Sequence, residues 1–330
     1  MVTRARLLSL LAFAAPFAAC TPSFSDATSI VSGSPRLLAV QATPAEVATG
    51  KTFAMTALYV GPSGNASASG VDWAICLLQN PLGDPDPIAP GCFVTSSSDL
   101  TPLGAGTTVK GTMPSDACEL FGPESPPPQA GEPAPRPTDP DATGGFYLPV
   151  RIASGAGDWS AATERIACPP SGVTLPVLTA FNSEYVANQN PSVASLASVG
   201  SDGTATTAPP DSPDGGAPPL GVVAGAHLTL RASWPACPAS PGACGGAETY
   251  VYIDPTSKQV ETGRESIVAS FYATAGAFDL DRVGRDSTDD ATTVDDGWTA
   301  PSAAGTVHLW VVLRDARGGV GWESYTLTVH

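Results

Sequence analysis

Few side chains in this sequence are equipped for catalysis. Its 330 residues include three histidines, His227, His308 and His330, far apart in the chain, which leaves little material for general-base chemistry. No Gly-x-Ser-x-Gly, His-Glu-x-x-His or Gly-x-x-x-x-Gly-Lys-Ser/Thr segment occurs, so the nucleophile elbow, the zinc-hydrolase helix and the phosphate-cradling loop are all missing. Charge is sparse at 14% of residues, and basic charge sparser still, with 15 Lys and Arg against 31 Asp and Glu. A net charge of −16 without clustered bases speaks against nucleic acid as a partner. Aromatics are few, with 6 Trp, 7 Tyr and 10 Phe, enough for one or two modest cores.

Glycine and proline are what the chain has in abundance, 34 of each. Together they resist continuous helix, which disfavours an all-helical or a doubly wound fold.

The N-terminus places Arg4 and Arg6 before an apolar stretch and ends it in the small residues Ala18 and Ala19. Leu7 to Ala19 is 13 residues, interrupted by Pro16, against roughly 20 needed to span a bilayer. Residues 1–19 are therefore expected to be a removable export signal. Phe17-Ala18-Ala19-Cys20 resembles the lipobox of bacterial lipoproteins, with Phe17 in place of the usual Leu. That resemblance implies that Cys20 is the lipid attachment site, and Thr21 after it is compatible with transport to the outer membrane. Without residues 1–19 the formal charge becomes 13 − 31 = −18, so contact with the membrane is expected through the lipid alone.

Seven cysteines are an odd number for an exported chain, and lipidation of Cys20 leaves six. No Cys-x-x-Cys pair exists, which favours disulfides over zinc. Cys237–Cys244 closes a short Pro/Gly-rich loop. Cys76, Cys92, Cys118 and Cys168 admit three pairings, of which Cys76–Cys92 with Cys118–Cys168 is taken here.

Residues 20–34 read as lipidated Cys and tether. Two segments lack a core-forming pattern, 122–140 with 8 Pro and 201–219 with 5 Pro, and both are expected as extended or disordered loops. Around them lies a repeat. Pro35-Arg-Leu-Leu-Ala-Val-Gln-Ala is similar to Pro191-Ser-Val-Ala-Ser-Leu-Ala-Ser, and the alternation of Phe53, Met55, Ala57 and Tyr59 is similar to that of Leu228, Leu230, Ala232 and Trp234. Period-two alternation means half-buried strands, and repetition means a duplicated domain, placed at 35–187 and 188–330. Third strands at Val71–Cys76 and 266–272 would set Trp73 and Phe271 in the two cores.

The C-terminus reads as a hairpin. Val307, Leu309, Val311 and Leu313 share one face, Asp315-Ala-Arg-Gly-Gly319 turns, and Tyr325, Leu327 and Val329 return inward. A five-residue turn pairs Arg314 with Val320, Val312 with Trp322 and Trp310 with Ser324. Trp310, Trp322 and His308 then share the outward face, where they meet either the protein's own first domain or the 201–219 loop, or a partner or sugar ring stacked on the indoles.

Gly276-Ala-Phe, Trp298-Thr-Ala-Pro301, the strand from Gly305 to Asp315 and Gly318-Gly319 resemble the closing half of bacterial Ig-like and PKD-type domains over residues 262–330. The resemblance implies an all-β fold of two Ig-like sandwiches, and the whole is similar to envelope lipoproteins carrying tandem domains of that kind. Such domains are scaffolds and adhesive modules without a shared catalytic site.

Two acidic groups are candidate cation ligands. Asp139, Asp141 and Thr143, followed by Gly144, reproduce the opening of a calcium loop, but position twelve is Val150 rather than a bidentate acid; a solvated turn is the competing reading. Asp279, Asp281, Asp286, Asp289, Asp290, Asp295 and Asp296 have no ligand-loop spacing and read as an exposed loop. The expectation is a non-catalytic, lipid-anchored envelope protein, structural or adhesive, at the outer membrane. It would bind an envelope protein or glycan, with no cofactor beyond calcium. The alternative is an envelope hydrolase working through the Asp-rich loops.

Overall fold

The computed structural model describes residues 28–65, 70–79, 88–122, 145–154, 158–212, 216–254, 256–280 and 282–330. The first half contains strands β1 (Arg36–Thr43), β2 (Glu46–Ala48), β3 (Thr52–Gly61), β4 (Gly64–Asn65), β5 (Val71–Cys76), β6 (Leu100–Ala105) and β7 (Thr108–Thr112), helix α1 (Ala117–Leu120), and strands β8 (Phe146–Ser154) and β9 (Asp158–Ala167). Helix α2 (Leu175–Glu184) follows. The second half contains β10 (Ser195–Val199), β11 (Ala205–Ala208), β12 (Leu220–Val222), β13 (His227–Ser233), β14 (Thr249–Ile253), β15 (Val260–Arg264), β16 (Ile267–Ala273), β17 (Ala277–Phe278), β18 (Val283–Arg285), β19 (Thr293–Thr299), β20 (Gly305–Asp315) and β21 (Val320–Val329).

These strands make two sandwiches with one connectivity. In the first, β3 pairs with β1 on one side and with β4 and β7 on the other, opposite a sheet ordered β2-β9-β8-β5-β6. In the second, a β11-β10-β13-β19-β17 sheet opposes β12-β21-β20-β16-β18. Each half sends its opening strand to one sheet, then crosses to add a short strand parallel to its own last strand. That strand is β2 on β9 in the first half and β12 on β21 in the second. The second half alone inserts a further strand, β11, between its opening strand and this short one.

Alternation builds both cores. Phe53, Met55 and Ala57 of β3 meet Trp73, Leu148 and Ile152 in the first, while Leu230, Trp298 and Phe271 meet Leu309, Val311 and Leu327 in the second. Three disulfides pin the connections, Cys76–Cys92, Cys118–Cys168 and Cys237–Cys244.

Two features depart from the sequence reading. Part of the segment read as the disordered loop 201–219 is structured: β11 pairs with β10 from Leu196–Ala208 to Val199–Ala205, and Pro210 bridges to Tyr325. An edge strand with unpaired backbone groups recruits even a polar Thr-rich segment, and Ala208 supplies one buried side chain. Helix α2 was also unforeseen. Thr174 sits at its N-cap and Pro176 lies in its first turn, a start signal lost among many other Thr and Pro. Its Phe181 packs on Val251 and Ile253 of β14, so the helix that leaves the first sandwich rests on a hairpin of the second.

Candidate functional site: the junction between the sandwiches

The hairpin β20–β21 pairs Arg314 with Val320, Val312 with Trp322 and Trp310 with Ser324. Its outward face is covered by the first sandwich. Trp310 is 1% exposed and clusters with Val312, Leu38, Leu58 and Val60, and its indole N–H donates to Asn65 Oδ1 at 3.2 Å. Trp322 packs at the rim of this cluster. The His308 ring lies 6.4 Å from that of Trp310 and close enough to Gly64 that a Cβ there would meet it at 3.3 Å. The two sandwiches thus dock sheet face to sheet face. Arg314 extends the contact by donating to the Leu38 carbonyl at 2.9 Å, and Asn190 donates to the Ala42 carbonyl at 2.6 Å. These bonds cap the outer edge of β1, where unpaired carbonyls would otherwise face solvent.

Of the other sequence candidates, Cys20, Asp139, Asp141 and Thr143 lie outside the described residues, as does Asp281. Among the described acids of the C-terminal cluster, three serve turns and strand pairs. Asp286 accepts from both the amide and the hydroxyl of Thr288, Asp289 accepts from the Ala291 amide and pairs with Arg285, and Asp295 takes a two-pronged bond from Arg231 at 2.7 Å each. The bond from Thr288, the amide of Ala291 and the bond from Arg231 respectively hold these three carboxyls below the usual carboxylate range. Among the described residues no group of three or more His, Cys, Asp or Glu is placed to hold a metal.

Buried polar groups converge instead beside the 315–319 turn. Asp315 Oδ1 accepts from the amides of Arg317 and Gly319, both at 2.8 Å, which folds the turn back on itself. Gly318 has φ +94°, and a Cβ there would lie 2.8 Å from the Tyr147 ring of the first sandwich, so a side chain is excluded on both counts. The turn delivers Arg317, 2% exposed, into a collar of groups from five segments. Its Nε lies 3.0 Å from Glu265 Oε1 and its Nη2 3.7 Å from Glu248 Oε2. Nη2 also donates to Asn188 Oδ1 at 3.1 Å, and the guanidinium stacks 4.9 Å from the Tyr250 ring. From the first sandwich, Arg165 reaches the Arg317 carbonyl at 3.4 Å while pairing with Glu46 at 3.2 Å. Glu46 also accepts from the Asn188 amide at 2.9 Å and from the Tyr185 hydroxyl.

Burial pushes the carboxyls of Glu248, Glu265 and Asp315 upward, Glu265 to about 8. Perturbed acids in a cleft are a mark of chemistry, but the cavity beside Arg165 and Arg317 holds only about 20 Å³, too small for an organic substrate. Next to it a groove of about 410 Å³ runs between β1 and β9, lined by small residues such as Ala39, Ala42, Ser160 and Ala162 and, among charged residues, by Arg314 and Asp315. The sequence reading named Asp315 only as a turn residue and missed Glu46, Arg165, Glu248, Glu265 and Arg317. The available signal was chemical: in a chain with so few charges, Glu164 and Arg165 stand side by side in the middle of a strand pattern, after Ala161, Ala162 and Thr163 and before Ile166.

No family model matches the chain, and no curated protein matches it in sequence. Among solved structures it is similar to the adhesin InvE of Yersinia pseudotuberculosis, at 11% identity and TM-score 0.20 over 90% of this chain and 58% of that one. It is also similar to a DUF4785 family protein of Legionella pneumophila, at 9% identity and TM-score 0.19 over 85% and 53%. The chain spans little more than half the length of either. At TM-scores this low neither likeness carries an argument about this chain.

Proposed function

We propose that this protein is a lipid-anchored component of a bacterial cell envelope, a non-catalytic structural or adhesion module built of two Ig-like sandwiches. The observation that carries the reading is the junction: an apolar sheet-to-sheet contact and a buried ionic collar hold the sandwiches together, as suits a scaffold that presents loops to a protein or glycan. Three disulfides fit an oxidising compartment, and Asp286, Asp289 and Asp295 of the C-terminal cluster are engaged in turns and a cross-strand pair. Anchoring through Cys20 and calcium at Asp139, Asp141 and Thr143 rest on the sequence alone.

The test is made on cells. Intact mass of the membrane-extracted protein is expected to show a chain beginning at an acylated Cys20, and Cys20→Ser should move the protein to the soluble fraction. An unmodified Cys20 in the membrane fraction would overturn the anchor. Adhesion of protein-coated beads to envelope glycans or proteins, lost with the loops but not with single acid-to-amide substitutions in them, separates a display module from a hydrolase, whose turnover would fail on one such substitution.

A further inference from the structure

Counting charges at the junction gives an imbalance. Glu46, Glu248, Glu265 and Asp315 are 5%, 1%, 0% and 9% exposed, and only Arg165 and Arg317, at 6% and 2%, stand against them. Fully ionised, four carboxylates and two guanidiniums would leave two negative charges uncompensated away from water, and a buried group in that position takes up a proton instead. The donors fix which carboxyls tolerate charge. Glu46 has Arg165, the Tyr185 hydroxyl and the Asn188 amide. Asp315 Oδ1 has two turn amides, but its Oδ2 has no hydrogen-bond partner among the described residues. Glu248 has the amides of Cys244 and Gln189. Glu265 has the Glu248 amide at Oε2, while Oε1 faces Arg317 at 3.0 Å without a well-aligned hydrogen bond.

We propose that this junction is a pH-responsive latch: as pH rises above neutral the collar around Arg317 loses the protons that balance it, and the sandwiches part at the 315–319 turn before either one unfolds. The bonds that join distant segments at the collar, from Arg165 to the Arg317 carbonyl, from the Asn188 amide to Glu46 and from Arg317 to Asn188, would break, and the 315–319 turn that Asp315 holds would loosen with them, whereas each sandwich keeps its own sheets and core. The remaining titratable groups at the collar do not offset the change. Tyr147 and Tyr250 are both pushed upward by burial and stay neutral, and Arg314 is turned away toward Leu38 and Ser270. Glu164 sits behind Glu46, on the opposite face of β9 inside the first core, and its titration acts on that sandwich as a whole.

Hydrogen exchange of the purified protein at pH 6 and pH 9, corrected for intrinsic rates, reads the latch directly. The amides of Asn188, Gln189, Arg317 and Gly319 all donate to collar carboxylates and are expected to lose protection by about tenfold or more. Amides of β16 should hold theirs. In Glu265→Gln the junction loss should shrink or move to higher pH, and in Glu164→Met it should persist. If Glu265→Gln does not fold, Glu248→Gln serves the same purpose, and the contrast between junction and β16 in the unaltered protein already decides. Junction and core losing protection together, no loss at either, or the same loss at the same pH in the collar variant would each overturn the latch.

Discussion

The first sandwich repeats the central connectivity of the second, which adds β11 and the β14–β15 hairpin, yet the two fill and fasten that shared connectivity differently. The second core is rich in large aromatics, with Trp234, Phe271, Phe278, Trp298 and Tyr325 all buried, and its single disulfide is confined to the connection between β13 and β14. The first core buries a single Trp, Trp73, with Phe53, Phe121 and Phe146 beside Met55 and Met113, and it contains Glu164, 0% exposed, with neither carboxyl oxygen hydrogen-bonded among the described residues. Its two disulfides tie down the long connections that follow β5 and β7. A weaker core is compatible with the same topology when cross-links reduce the entropy of the unfolded chain.

The largest effect should come from removing that compensation. Closing a loop across 50 residues, as Cys118–Cys168 does, contributes about 4 kcal/mol in the chain-entropy model, and the short Cys237–Cys244 loop about 2.5 kcal/mol. Cys118→Ser with Cys168→Ser is expected to create a separate, earlier thermal transition for the first sandwich. Cys237→Ser with Cys244→Ser should shift the second only modestly. Calorimetry of both double variants checks the comparison, and equal shifts would mean that the disulfides do not divide the two halves.

Much of this architecture was legible in the chain. Period-two alternation gave β3, β13 and β20, and the spacing of a five-residue turn set the register of the last hairpin, because both are local signals. The pairing of Cys76 with Cys92 and Cys118 with Cys168 was one choice among three. The docking of sheet on sheet was open between two readings, since an outward Trp310 is equally costly whatever covers it. The collar was hidden for a different reason. Glu46 meets Arg165, and Arg317 meets Glu265, Glu248 and Asn188, across separations that no period or motif encodes. Helix α2 was hidden because its packing on β14, rather than its own pattern, makes it a helix.

Glu164 provides the next test, read as a change in stability per unit of pH. Burial first, and the nearby Glu46 charge second, push its carboxyl to about 9. A carboxyl raised in the folded state favours folding fully below its unfolded value and loses that advantage as pH climbs to the folded one. Between about pH 5 and pH 9 each unit of pH therefore removes up to about 1.4 kcal/mol from the first sandwich. Glu164→Met should flatten this dependence and raise the melting temperature at pH 8. A variant melting in parallel with the unaltered protein across that range would show that Glu164 is hydrated or paired in solution.

The smallest effect belongs to the second sandwich and completes the contrast between buried and exposed charge. Glu46–Arg165 and Arg231–Asp295 are both cross-strand pairs, facing one another in the β2–β9 and β13–β19 registers. The first is about as buried as a core residue, its side chains 2% and 6% exposed, while the second stands 40% and 41% exposed. Geometry favours the exposed pair, with two bonds of 2.7 Å against one of 3.2 Å. Environment decides otherwise. Water already solvates Arg231 and Asp295 in the unfolded chain and screens them in the folded one, so Arg231→Ala is expected to cost only about 0.5 kcal/mol, and less at high salt. Arg165→Ala leaves Glu46 buried against Tyr185 and Asn188 without its cation and should cost about 3 kcal/mol or more, with little dependence on salt. Measuring both by denaturant melts at low and high ionic strength gives the ordering, and a larger loss at Arg231 would mean that the junction opens to water in solution.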